Sequence, residues 1–188
     1  MLRELVNSLS GKSITIDAKD QEVRGKANAT YNTICTRSDR KFDPRTDNQI
    51  LLDCYRGTIR EVGIARLTGG VINEQIPVWE DRSTYAWDVQ AKKILLEIKP
   101  QDLASQYFCV KTITADRMKR NTSYYDYVIS TAARKLNESE WLIIPCLMIK
   151  STDFNSFCKK SVYKNWQSIY NPHMNPVIKL NDWSKDNA

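Results

Sequence analysis

Histidine is almost missing from this 188-residue chain: His173 is the only one. With one histidine and no Cys-x-x-Cys pair, a tetrahedral zinc site has no ligand set to draw on. Any metal here is expected to be a hard cation on oxygen ligands. The five cysteines, Cys35, Cys54, Cys109, Cys146 and Cys158, are odd in number and widely scattered, which argues against a disulfide framework and for the reducing cytoplasm. Glycine is scarce as well, at six residues. Ser10-Gly11-Lys12-Ser13 imitates the end of a phosphate-binding loop, but Val6 stands where the first glycine is required and strand-like Ile14-Thr15-Ile16 follows instead of a helix. Nucleotide hydrolysis is rejected on that basis.

Long apolar runs are lacking too. The longest, Trp141 to Ile149, has nine residues including a proline, against the roughly 20 a spanning helix needs, so no membrane association is expected. The start, Met1 to Leu9, mixes charges among leucines and has neither the apolar core nor the small-residue cleavage site of a signal peptide; it reads as an amphipathic helix. Without export, the Asn-x-Ser/Thr triplets at Asn28, Asn121 and Asn137 are not expected to be glycosylated.

What remains is an ordinary globular composition, 41% hydrophobic and 27% charged, in a chain long enough for one buried core. A single domain over 1–188 is expected, with its core at about 47–150 and an irregular segment at 151–188. The net charge of +6 suits a polyanionic partner, because each phosphate met by lysine or arginine releases counterions. Charge alone does not identify that partner.

Periodicity supplies the elements. Ser13 to Asp17 alternates like a strand, and the thirty residues after it are polar and give no clear pattern. A helix is expected from Asp47, capped by its own side chain, through the stripe Ile50, Leu51, Cys54, Tyr55, Thr58, Val62 and Ala65, ending at Thr68-Gly69-Gly70. An edge strand near Val71 to Val78 precedes a hairpin whose turn lies within Gln90 to Lys93, and Tyr127 to Thr131 and Trp141 to Ile149 read as later strands. Helices alternating with strands predict an α/β fold, a central mixed sheet flanked by helices.

The chemistry lies in that hairpin. In Ile94-Leu95-Leu96-Glu97-Ile98-Lys99-Pro100, strand alternation sends Glu97 and Lys99 to one face and Ile94, Leu96 and Ile98 to the other. Asp88, on the preceding arm, joins Glu97 and Lys99 if the loop between the arms is even or bulged. Asp17/Lys19 and Asp39/Lys41 share the acid-x-lysine spacing; only Glu97/Lys99 stands in a strongly apolar strand, where unpaired charge is costly. A plainer reading of the same residues is a surface ion pair between Glu97 and Lys99 with Asp88 in a turn. Glu80 and Asp81 are alternative first acids under a different strand boundary.

An aspartate on one strand and Glu-x-Lys on the next resemble the PD-(D/E)XK, or restriction-endonuclease-like, nuclease superfamily. Trp87 stands where that motif usually has proline. The resemblance implies a restriction-endonuclease-like core in a single nuclease domain. It implies Mg²⁺, with Mn²⁺ substituting, held by Asp88, Glu97 and the carbonyl of Ile98, and Lys99 orienting or helping to deprotonate the attacking water. Hydrolysis of DNA would leave 5′-phosphates. The family often carries an acid on the helix before these strands. Glu61 borders the apolar stripe and fits that place, as a second metal ligand or a water anchor, whereas Asp53 lies on the polar side with Arg56 and Arg60. A solvated glutamate paired with an arginine is the plainer account of Glu61.

Arg117, Lys119 and Arg120 form a basic stretch expected to meet DNA, as are Lys159, Lys160 and Lys164 near Tyr163 and Trp166. His173 and Asn175, in a proline-flanked loop of the C-terminal segment, carry groups that can read base edges. The expected function is therefore a cytoplasmic, Mg²⁺-dependent endonuclease with DNA as partner, in a restriction system or as a phage nuclease attacking host DNA. The competing classes are a non-catalytic nucleic-acid-binding protein and an RNA-cleaving relative. A palindrome-cutting enzyme would work as a homodimer.

Overall fold

The computed structural model describes residues 1–37, 40–75, 87–101, 109–111, 123–153, 159–160, 166–168 and 177–181, and these form ten strands, three α-helices and two single-turn 3-10 helices. The amphipathic start forms helix α1 (Leu2–Leu9), which buries Leu5 and Leu9, and strand β1 (Ile14–Asp17) follows it. The polar stretch after β1 is helix α2 (Gln21–Cys35), a helix that hydrophobic periodicity did not reveal. Asp20 caps it by accepting from the Glu22 N–H at 2.9 Å, and only Val23 and Ala27 are fully buried. Helix α3 (Asp47–Thr68) has the expected extent, but its cap is Thr46 and not Asp47. Thr46 and Gln49 form a reciprocal capping box, while Asp47 pairs with Arg40 at 2.5 Å. The helix ends on Gly69 at φ 62°, a left-handed conformation that glycine adopts without strain.

Strands β2 (Val71–Ile72), β3 (Val89–Ala91), β4 (Ile94–Pro100), β6 (Tyr127–Lys135) and β7 (Glu140–Lys150) join β1 in a sheet of order β1-β7-β6-β4-β3-β2. Strand β5 (Cys109–Lys111) belongs elsewhere, in a three-stranded sheet of order β5-β9-β8 with β8 (Lys159–Lys160) and β9 (Trp166–Ser168). Strand β10 (Ile178–Lys179) pairs with β7 on the edge that β1 also uses. The stretch expected to be irregular, 151–188, thus supplies three short strands. Within the main sheet β4 and β6 run parallel and the other pairs antiparallel, so the expected mixed sheet with flanking helices is what the chain forms. Strand β2 is the edge strand foreseen near Val71, but it is only two residues long: Asn73, Glu74 and Gln75 are already outside it, and the rest of the expected strand, 76–78, lies outside the described residues.

Pro145 sits inside β7 because the ladder breaks there. Ser130 faces Leu147 and Thr131 faces Pro145, leaving Cys146 as an extra, bulged residue. The Leu147 N–H donates to Ser130 Oγ at 3.1 Å. The face of β4 bearing Ile94, Leu96 and Ile98 packs with Ile59, Val62, Ile64 and Ala65 of α3. Contact is tight: a Cβ on Gly63 would lie 3.0 Å from the Ile143 side chain. On the opposite face Tyr125, Val128, Ile144, Leu147 and Ile149 form a second cluster, with Leu95 packed against it. Helix α2 packs on α3 through Ala27, Ile50 and Cys54. Among the described residues no helix is long and apolar enough to cross a membrane.

Candidate active site

Two residues, Lys92 and Lys93, connect β3 to β4, with Val89 opposite Leu96 and Ala91 opposite Ile94. The loop is even, as convergence of Asp88 with Glu97 and Lys99 requires. Asp88 lies one residue before β3 and is fixed through its main chain and side chain alike. Its N–H donates to the Leu96 carbonyl at 2.8 Å, its carbonyl accepts from the Asn73 N–H at 2.9 Å, and its Oδ2 accepts from the Ile98 N–H at 2.7 Å. Asn73, buried at the end of β2, also donates from Nδ2 to the Trp87 carbonyl at 3.0 Å.

The Lys99 ammonium is the point on which the oxygens converge. It pairs with Glu97 Oε1, donates to the Ile98 carbonyl at 3.3 Å and lies 4.0 Å from Asp88 Oδ2. The side chains of Lys99, Glu97 and Asp88 are only 18%, 14% and 21% exposed, so this is no solvated surface pair. Glu61 of α3 completes the group. Its Oε2 lies 2.6 Å from Nζ of Lys26, a residue of α2.

Burial governs the electrostatics of this cluster. It pushes the Glu97 carboxyl up to about 7, with the Asp88 charge adding to the rise and Lys99 opposing it. Burial also raises Glu61, against the pull of Lys26 and with a further push from Asp88. For Lys99 burial works against the charged form, yet Glu97, Asp88 and Glu61 together hold its pKa above that of an ordinary lysine. Lys26 behaves alike: burial opposes its charge, and Glu61 and Asp88 outweigh it. Tyr125, buried beside the cluster, has its phenol pushed up by burial and by the Glu97 charge, so it forms a wall of the site.

Two carboxylates and one carbonyl that already gather around an ammonium offer oxygen ligands to a hard cation. Among the described residues no three His, Cys, Asp or Glu side chains form a ready metal-binding group. A metal at Asp88 and Glu97 would therefore take the Ile98 carbonyl and water as further ligands. This donor set fits Mg²⁺ or Mn²⁺ and gives zinc nothing it prefers.

Of the residues singled out in the sequence, Asp88, Glu97, Ile98, Lys99 and Glu61 are brought together. Asp53 is not: it binds Arg45 at 3.0 Å and is 48% exposed. Arg117, Lys119, Arg120, His173 and Asn175 lie outside the described residues, as do Glu80 and Asp81. Lys26 and Asn73 are the site residues that sequence reasoning missed. The spacing of Val23, Ala27, Tyr31 and Ile34 is helical and would have placed Lys26 beside a buried stripe. A cavity of about 210 Å³ lined by Ile34, Arg37, Arg40, Phe42 and Asp43 contains none of these groups and takes no part in their chemistry.

A family model described as bacteriophage T4 endonuclease IV matches residues 4–173, a span that holds the five clustered charged residues. No curated protein and no solved structure matches the chain.

Proposed function

Because the chain belongs to the bacteriophage T4 endonuclease IV family, we propose that it is a Mg²⁺-dependent DNA endonuclease of the PD-(D/E)XK type that leaves 5′-phosphates. The observation that carries this reading is the convergence of Asp88 Oδ2, Glu97 Oε1 and the Ile98 carbonyl on the single Lys99 ammonium. A family named for a phage endonuclease favours a phage nuclease attacking host DNA over a restriction system.

In this reading Asp88, Glu97 and the Ile98 carbonyl hold the metal, and Glu61 is the auxiliary acid. When bound, the metal supplies positive charge to the scissile phosphate and lowers the pKa of a coordinated water. The hydrogen bond from the Ile98 N–H keeps Asp88 in line with the strand that carries its fellow ligands. Lys99, held above the ordinary lysine pKa, stays charged at neutral pH. That charge suits it to orient the attacking water and steady the phosphate rather than to remove a proton.

Supercoiled plasmid incubated with Mg²⁺ or with EDTA tests the proposal, using wild type, Glu97→Ala and Lys99→Ala. Metal-dependent cutting that disappears in both variants is the expected result, with product ends that ligate without prior phosphorylation. Binding of DNA without cleavage under any divalent metal overturns it.

A further inference from the structure

Three carboxylates in this cluster share two ammonium groups. With all five groups ionised, Asp88, Glu97 and Glu61 carry three negative charges and Lys26 and Lys99 two positive ones, a formal sum of −1 without a ligand. Lys26 reaches the cluster from α2, its Nζ 2.6 Å from Glu61 Oε2, and both side chains are largely buried, 19% and 16% exposed. Glu61 Oε2 has no hydrogen bond of good geometry, so the neighbouring Lys26 charge is what offsets its burial. Phosphodiesterases that use two metal ions place them about 3.5–4 Å apart and clamp both the attacking and the leaving oxygen. Here the carboxylate that would serve a second ion already holds a cation that belongs to the chain.

We propose that Lys26 is a built-in second cation, which occupies Glu61 and holds the site to one divalent metal ion per chain. With that ion the charged groups sum to +1, opposite to the single charge of a phosphodiester. A second ion would raise the sum to +3 and displace Lys26 from Glu61. Glu61 is then a positioning residue that acts on water beside the metal, and Lys26 fixes its place. The inference rests on the metal-dependent reading above.

Isothermal titration of the full chain with Mn²⁺ tests it. Wild type and Lys26→Arg are expected to take up one ion per chain. Lys26→Met, which strips Glu61 of its ammonium, is expected to take up two, and Lys26→Met with Glu61→Gln one again. Should Lys26→Met fail to fold, Glu61→Gln decides. It keeps the wild-type Mn²⁺ affinity if Glu61 is no metal ligand, and a loss of about tenfold or more overturns the inference. Two ions on a wild type that cleaves DNA overturn the inference and leave the nuclease reading standing. A wild type that neither binds Mn²⁺ nor cleaves overturns the nuclease reading, and the inference with it.

Discussion

The Ile98 N–H donates to Asp88 Oδ2 at 2.7 Å, which ties the acid before β3 to the strand that carries Glu97 and Lys99. The bond crosses the hairpin at the point where the ladder from Val89 and Leu96 ends, so Asp88 serves as acceptor for the fold and as carboxylate for the site. These two duties separate by mutation. Asp88→Asn keeps an oxygen for the Ile98 N–H but loses the charge, and is expected to fold normally while plasmid cleavage drops at least about 10²-fold, near 3 kcal/mol of transition-state stabilisation. Asp88→Ala also leaves that N–H without its acceptor, which costs about 1–3 kcal/mol of stability. Cleavage rates read beside thermal unfolding check the split; full activity in Asp88→Asn would remove Asp88 from the site.

Glu97 gives the protein a pH dependence of definite sign. Its pKa in the folded chain rises from 4.5 to about 7, chiefly through burial. The fold therefore favours the protonated acid, and this contribution to stability is complete below the unfolded value and is lost as pH rises through about 7. Metal-free protein should melt at lower temperature at pH 8 than at pH 5, with a slope of at most about 1.4 kcal/mol per pH unit from this group. Glu61 is shifted in the same direction and adds to the trend. Glu97→Gln should flatten the profile, and Mg²⁺ should raise the melting temperature more at pH 8 than at pH 6, because binding must displace the Glu97 proton. Circular dichroism melts across this range decide; a profile that Glu97→Gln leaves unaltered contradicts the assignment.

Ser130 links the β7 bulge to the strand end that follows Lys99. Its hydroxyl donates to Gln101 Oε1 at 2.5 Å and accepts the Leu147 N–H at 3.1 Å, all in the buried interior. Ser130→Ala leaves both partners short of a bond. We expect a loss of about 2–4 kcal/mol, from two groups at about 1–3 kcal/mol each with partial relaxation. Ser130→Thr keeps the hydroxyl and should recover part of it. Urea unfolding measures the loss, and stability within experimental error of wild type would show that the bulge closes without the hydroxyl.

How far the site was legible depended on which kind of pattern placed each residue. Alternation along β4 sorted Glu97 and Lys99 from Ile94, Leu96 and Ile98, and the two-residue turn met the condition that brought in Asp88. The apolar stripe of α3 separated Glu61 from Asp53 for the same reason, since one face of that helix is buried and the other is not. Lys26 escaped because α2 is held mainly by packing on α3. The spacing of Val23, Ala27, Tyr31 and Ile34 is its one helical signal, and Gly25 and the polar residues around that stripe weaken it. Thr46 displaced Asp47 as the cap because either residue type can cap, and only Thr46 has Gln49 three residues on to close the box. Pro145 gave no hint of a bulge, because a proline in an apolar run is also what an edge strand shows.

Asn73 makes the sharpest test of how the hairpin holds the first acid. Its side-chain amide donates to the Trp87 carbonyl at 3.0 Å, its N–H donates to the Asp88 carbonyl at 2.9 Å, and its Oδ1 accepts from the Gln75 N–H at 3.0 Å. Two of these three bonds fix the backbone on either side of the Asp88 amide group, and only one of those two uses the side chain. Asn73→Ala should therefore leave the ladder in place while loosening Trp87 and Asp88, at about 1–2 kcal/mol in stability. Asn73→Asp keeps the acceptor for Gln75 but replaces the donor with a charge against the Trp87 carbonyl, so it should be the more damaging change although it is the smaller in shape. In both variants kcat should fall with the KM for DNA unchanged if, as proposed, Asp88 holds the metal and Asn73 acts only by positioning it. A variant that raised KM alone would assign Asn73 to DNA binding instead.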